Sequence, residues 1–323
     1  MSTTNPFLAP QAAAPTPVDE SPTLPLALTG TALLIALIAL LYEQIMQWFW
    51  QPMDLSIWLS VLSQSLGWWG AHLLTVAVFT FCFSHTYLER YALRAYRQQH
   101  LLIGYGVFSL VMYLVMGLVF SQVLFWAYET SGLFEYGQVL GSLFMRLVGL
   151  VQFGVEIVLP LWLCLHLLRS SASGEASVSV FSATTIALCF ALITAALNIH
   201  LSTLVVQLVG HFTSLPSSSG WEILLILINS MLVALLAFVA AWRALPTKVR
   251  GFRGDRLLLA SVITLLLWLV TTALSALLLV VLLISGSIKG ELVMLALFGL
   301  VQLALLWPFS QLGLRWGYRA QPA

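Results

Sequence analysis

The sequence predicts an all-α protein, a polytopic transmembrane helical bundle of about eight helices with both termini on the cytoplasmic side. Three observations predict it. First, 60% of the 323 residues are hydrophobic and only 8% are charged, against about 25% charged in an ordinary soluble domain, so lipid is the main solvent of this chain. Second, eight apolar stretches reach the roughly 20 residues that a helix needs to cross the hydrocarbon with its backbone polar groups satisfied internally. Third, the basic residues are sorted. Of the 13 Lys and Arg, eleven (Arg90, Arg94, Arg97, Arg169, Arg243, Lys248, Arg250, Arg253, Arg256, Arg315 and Arg319) fall in every second gap between stretches or after the last one. The other gaps hold Glu43, Asp54, Glu129, Glu135, Glu222 and Glu291, with Lys289 as their one cation. This asymmetry assigns the basic gaps to the cytoplasm, and an even helix count returns both termini there. The basic clusters are topology determinants on this reading, and no nucleic-acid partner is expected.

Residues 1–24 form a separate region with Pro6, Pro10, Pro15, Pro17 and Pro22, the acids Asp19 and Glu20, and no basic residue. Such a composition predicts a disordered cytoplasmic tail. It lacks the basic start of a signal peptide, and Leu41-Tyr42-Glu43-Gln44 after the first apolar stretch is no small-residue cleavage site, so the first helix is expected to be retained. The opening Asn5-Pro6-Phe7-Leu8-Ala9-Pro10 resembles the Asn-Pro-Tyr/Phe-x-x-Pro tails that begin many bacterial multipass inner-membrane proteins. The resemblance implies a bacterial inner membrane and no particular activity.

The eight stretches run roughly from Leu26 to Met46, Leu66 to Ser84, Leu101 to Trp126, Ser142 to Leu168, Phe181 to Val209, Ile223 to Ala241, Leu257 to Ile284 and Leu292 to Leu314. Trp48, Trp50, Trp58, Trp68 and Trp69 crowd the region between the first two, as amphipathic rings do at a headgroup boundary. Leu55, Trp58, Leu59 and Leu62 follow Pro52 and Asp54 at helical spacing, which predicts a short interfacial helix. Gly149-Leu150-Val151-Gln152 recurs as Gly299-Leu300-Val301-Gln302, an offset of four helices. It divides the chain after the tail into a first four-helix unit, residues 25–170, and a second, residues 171–323, related as a parallel repeat.

Without a soluble domain, activity is to be sought among polar side chains at membrane depth. Counting inward from each cytoplasmic end at 1.5 Å per residue places His72, Tyr113, Glu156, Asn229, Thr271 and Gln302 at roughly 18 to 22 Å, with Gln152 and Asn198 slightly further out. Glu156 stands out, because a lone carboxylate in hydrocarbon costs several kcal/mol unless protonated, paired or wetted. His72 is its expected partner, Gln152 is one turn away, and Pro160 is positioned to kink the helix. Two readings are open: the layer fastens helices together, or Glu156 exchanges protons along a path for a proton or small polar substrate. The corresponding functions are a transport protein and a non-catalytic structural or assembly subunit of a membrane complex.

Ala183, Ala187, Ala191 and Ala195 recur at four-residue spacing and predict a close-packing seam against a neighbouring helix or a second protomer. Haem binding is a further function class, since His85 and His166 fall near the cytoplasmic ends of the second and fourth stretches, where two axial ligands to one haem could sit. No histidine lies level with His72 on the fourth stretch to complete a second site. Cys82, Cys164 and Cys189 lie inside apolar runs without ligand spacing, and no phosphate loop, His-Glu-x-x-His or paired-aspartate motif occurs, so no metal, cofactor or catalytic residue is assigned.

Overall fold

The computed structural model describes residues 24–50, 54–91, 98–129, 138–171, 180–213, 220–284 and 291–318. All but the last residue of the expected tail lies outside them, as do Arg94, Arg97, Lys289 and Arg319. The protein is an all-α, multipass bundle in which eight helical spans among the described residues are long and apolar enough to cross a membrane. The helices are α1 (Leu24–Trp50), α2 (Leu55–Arg90), α3 (Gln98–Glu129), α4 (Gln138–Phe153), α5 (Leu159–Leu167), α6 (Ala183–Thr213), α7 (Gly220–Ala244), α8 (Gly254–Ile284) and α9 (Glu291–Gly313). A π turn, Gly154–Val158, joins α4 and α5 into the fourth span, and a second π turn, Leu314–Tyr318, ends the eighth.

The neighbour pattern is the same in both halves of the chain. In each, the first helix packs on the second and third, and the fourth span packs on both of those. The halves meet through α2, which lies against α6, α7 and α8. This central place follows from a helix with two apolar faces. Leu74, Val78, Phe81 and Cys82 join a core with Ala187, Ala191, Ala237, Ala241 and Leu257, whereas Val76, Phe83 and Tyr87 join a core with Leu28, Tyr105, Ile157 and Leu161. No separate interfacial helix follows Asp54. Leu55–Arg90 is one helix of 36 residues, about 54 Å long, far more than the roughly 30 Å of hydrocarbon.

The closest helix crossings are made at glycines. A Cβ on Gly317 would fall 2.6 Å from Ala260 Cα, and one on Gly313 would fall 2.6 Å from the Ala260 carbonyl oxygen, so the end of the eighth span lies directly on α8. Gly254, the first residue of α8, meets α2 in the same way, 2.8 Å from the Cys82 carbonyl oxygen. Its backbone N–H donates to Thr86 Oγ1 (2.8 Å), and that hydroxyl donates to the Cys82 carbonyl (2.6 Å), so one α2 side chain satisfies an otherwise unpaired donor of α8.

A two-stranded antiparallel ribbon covers the basic end of the bundle. Strands β1 (Val180–Ser182) and β2 (Lys248–Arg250) pair Phe181 with Val249. Val249 is buried while Lys248 and Arg250 are exposed, the alternation expected of a half-buried strand. Gly251 then turns the chain toward α8 at φ +69°, a conformation that favours glycine.

Candidate functional site: polar groups at membrane depth

Glu156 sits in the middle of the first π turn, 8% exposed. The cause of the turn is Pro160, which has no N–H for the carbonyl one turn back. The helix widens before it, and the Leu159 N–H bonds to the Gly154 carbonyl five residues earlier before α5 resumes. Glu156 Oε1 accepts a 2.8 Å hydrogen bond from Gln152 Nε2. Both partners belong to the same span, so this bond ties no helices together.

Two further groups approach from α1 and α3. Tyr113 Oη donates to Glu43 Oε1 (2.7 Å), and both groups lie within electrostatic reach of Glu156. Two hydrogen-bonded pairs, Tyr113 with Glu43 and Gln152 with Glu156, are thus borne by neighbouring elements, α3 packing on both α1 and the π turn. Glu43 is exposed and Tyr113 half-buried, whereas Glu156 is buried.

His72 belongs to neither pair. No hydrogen bond or ion pair joins His72 to Glu156 among the described residues, and the ionisable group within electrostatic reach of it is His200 of α6. His200 Nε2 in turn pairs with Thr75 Oγ1 at 3.0 Å. The register of α2 explains the separation. Phe79 packs edge-on against Phe153 (5.4 Å), and Arg169 stacks on Tyr91 (4.2 Å), so Glu156 is level with residues 78–82 of α2. His72 lies roughly 10 to 15 Å beyond that, toward the acidic end. The depth ruler placed the inner end of α2 at Ser84, whereas the helix continues to Arg90.

The remaining residues of the layer belong to the second half, where Asn198 and Gln302 act between helices and the Thr271 hydroxyl bonds back to the Leu267 and Trp268 carbonyls of its own helix. Asn198 Nδ2 donates to Ser230 Oγ (2.9 Å), joining α6 to α7. Its partner is thus Ser230, while the neighbouring Asn229 is half-buried. Thr272 Oγ1 donates to Gln302 Oε1 (2.9 Å), and Trp268 Nε1–H donates to the Gln302 carbonyl (2.9 Å), joining α8 to α9. Thr194 and Ser261 link α6 to α8 at 3.1 Å. Ala183, Ala187, Ala191 and Ala195 are all buried within the chain, and Ala187 and Ala191 share a core with Ala237 and Ala241 of α7.

His85 and His166 do not converge. His85 is enclosed by Phe81, Phe252 and Phe181, with ring centroids at 4.6, 5.2 and 5.5 Å, on the α2 face opposite the fourth span. His166 is exposed and stacks on Trp162. The two rings cannot serve as axial ligands of one haem in this arrangement.

Glu43 is the group the sequence reading missed as a site residue, having been assigned to the gap after the first stretch. Its signal was its place three residues beyond Leu40, beside the end of the buried stripe of α1, from where the exposed carboxylate reaches Tyr113. Comparison of the chain with known families, with curated proteins and with solved structures finds no match.

Proposed function

We propose that this is a transport protein of a bacterial inner membrane, with the basic end facing the cytoplasm and a polar path for a proton or small polar substrate centred on Glu156. One observation carries the reading. The hydrogen bonds of Asn198, Thr194 and Gln302 each join two helices, whereas that of Glu156 stays within its own span. A buried carboxyl that joins no two helices among the described residues still carries a desolvation cost that the one hydrogen bond from Gln152 offsets only in part, which a role in moving protons or solute accounts for and a packing role does not. The π turn around it supports the same reading, since such turns occur frequently at functional sites.

The test is a pair of substitutions. Glu156→Gln keeps the shape and can still bond to Gln152, so it should accumulate in membranes at the wild-type level and abolish the gradient dissipation that the wild-type chain supports in vesicles. Glu156→Lys should impair accumulation itself. Full flux in Glu156→Gln would contradict a titrating role. The rival reading, a structural subunit of a larger complex, is favoured by α3, whose span is the least buried of the eight at 11% and is free to seat another subunit. Stable co-purification with other membrane proteins, together with full function of Glu156→Gln, would select it.

A further inference from the structure

We propose that each half of the bundle carries, at the basic end between its second and fourth spans, a site for the phosphate of an anionic phospholipid. The inference is independent of Glu156. In the first half the Arg169 guanidinium, at the end of the fourth span, lies over the ring of Tyr91, the residue that closes α2, 4.2 Å from its centroid. In the second half the Arg243 guanidinium, in the last turn of α7, lies over the ring of Trp307 on α9, 5.4 Å from its centroid. The same two spans, second and fourth, are thus bridged in both halves by a guanidinium on an aromatic face. The cation comes from the fourth span in one half and from the second in the other, so the arrangement recurs without the sequence recurring.

Charge sorting accounts for an arginine at these ends but not for its placement on a ring, because a topology determinant acts through its charge alone. Stacking occupies the face of a guanidinium and leaves its N–H donors, which lie in the plane, directed outward. Both arginines are exposed and both rings half-buried, and among the described residues neither guanidinium is bonded to a carboxylate. Each is a fork held by its ring and open at its edge, the arrangement that takes two oxygens of one phosphate. The surroundings select a lipid over a soluble phosphate. Trp162 and Leu167 of the fourth span, close to Arg169, and Leu235 and Trp242 of α7, ahead of Arg243, are exposed; in a bilayer acyl chains cover such side chains, and indole rings settle at headgroup level. The ligand that meets both surfaces has a phosphate head and an acyl tail. A head with its own ammonium would bring that cation toward the guanidinium, at an end where the described cations outnumber the acids Glu89 and Asp255, so the head that fits is anionic rather than zwitterionic.

The experiment counts the lipids retained by the purified full chain, read by native mass spectrometry from detergent to which phosphatidylglycerol or phosphatidylcholine with identical acyl chains is added. The wild type should retain one phosphatidylglycerol per half, at a lipid concentration roughly tenfold lower than phosphatidylcholine needs, and excess inorganic phosphate should not displace it. Arg169→Lys and Arg243→Lys keep the charge on which orientation depends and lose the planar fork; each should remove one bound lipid, and the two together should remove both. Tyr91→Leu and Trp307→Leu keep the arginines, remove the rings and should weaken the corresponding site. Lys248→Gln and Arg250→Gln remove exposed cations of the ribbon and should leave the count unchanged. Equal retention of the two lipids, or a full count after Arg169→Lys with Arg243→Lys or after loss of both rings, overturns the sites. Loss in the ribbon variants equal to that in the arginine variants also overturns them, since the attraction is then diffuse charge, and displacement by inorganic phosphate does so by making the ligand a soluble anion.

Discussion

Gly313 and Gly317 set how closely the last span approaches α8. A methyl group at either position would enter the space of the Ala260 backbone, 2.6 Å away, and backbone cannot move aside as a side-chain tip can. Gly317→Ala should destabilise the protein by about 1–3 kcal/mol, seen as a lower thermal midpoint in detergent, with Gly299→Ala as the control because nothing lies within 4 Å of it. An unchanged midpoint in Gly317→Ala would mean that the two helices sit further apart. At this scale the sequence was informative about kind and silent about pairing. Glu156 and Gln152 are neighbours because one helical turn separates them, a local relation that spacing reveals. That Asn198 meets Ser230, or that Thr75 meets His200, depends on the rotation and register of helices distant in sequence, which no spacing within one helix encodes.

The π turn is the element on which the site depends. Pro160 removes a backbone donor and the helix answers by widening around Glu156. Pro160→Ala restores that donor, so the span should tighten toward a regular α-helix. We expect its thermal midpoint to rise and its flux to fall; a lower midpoint would make Pro160 a packing residue rather than the cause of the turn. A proline-induced distortion here was legible, since Pro160 lies four residues after Glu156, but its form was not, because a kink and a π turn relieve the same missing bond. The length of α2 was misjudged for a related reason. Polar residues beyond Ser84 mark where lipid ends, not where the helix ends, and the α2 ladder continues through Thr86 and Glu89 because the ribbon and the start of α8 cover them. The ribbon itself went unanticipated; its strands, Val180-Phe181-Ser182 against Lys248-Val249-Arg250, are too short to distinguish from a loop.

Across the whole molecule, composition and charge sorting sufficed for the bundle, because hydrophobic length and loop charge are properties of single segments. Orientation makes its own prediction. On a cysteine-free background, Asp54→Cys should react with an impermeant thiol reagent added outside the cell and Lys248→Cys should not; external labelling of Lys248→Cys would invert the topology. The pairing of the buried polar groups is visible only in three dimensions: Asn198 and Gln302 in the second half bond between helices, as Tyr113 and Glu43 do in the first, while the buried Glu156 carboxyl is bonded within its own span. If that first half carries a path, water must reach its polar group. The most direct measurement is therefore the reactivity of Gln152→Cys toward a small water-soluble thiol reagent in the folded protein, with Ile157→Cys, a buried core position next to Glu156, as reference. Rapid modification at 152 with none at 157, slowed by Glu156→Lys in whatever fraction folds, is the predicted result. Equal inertness at both positions would contradict a path at Glu156 and leave this region a dry helix junction.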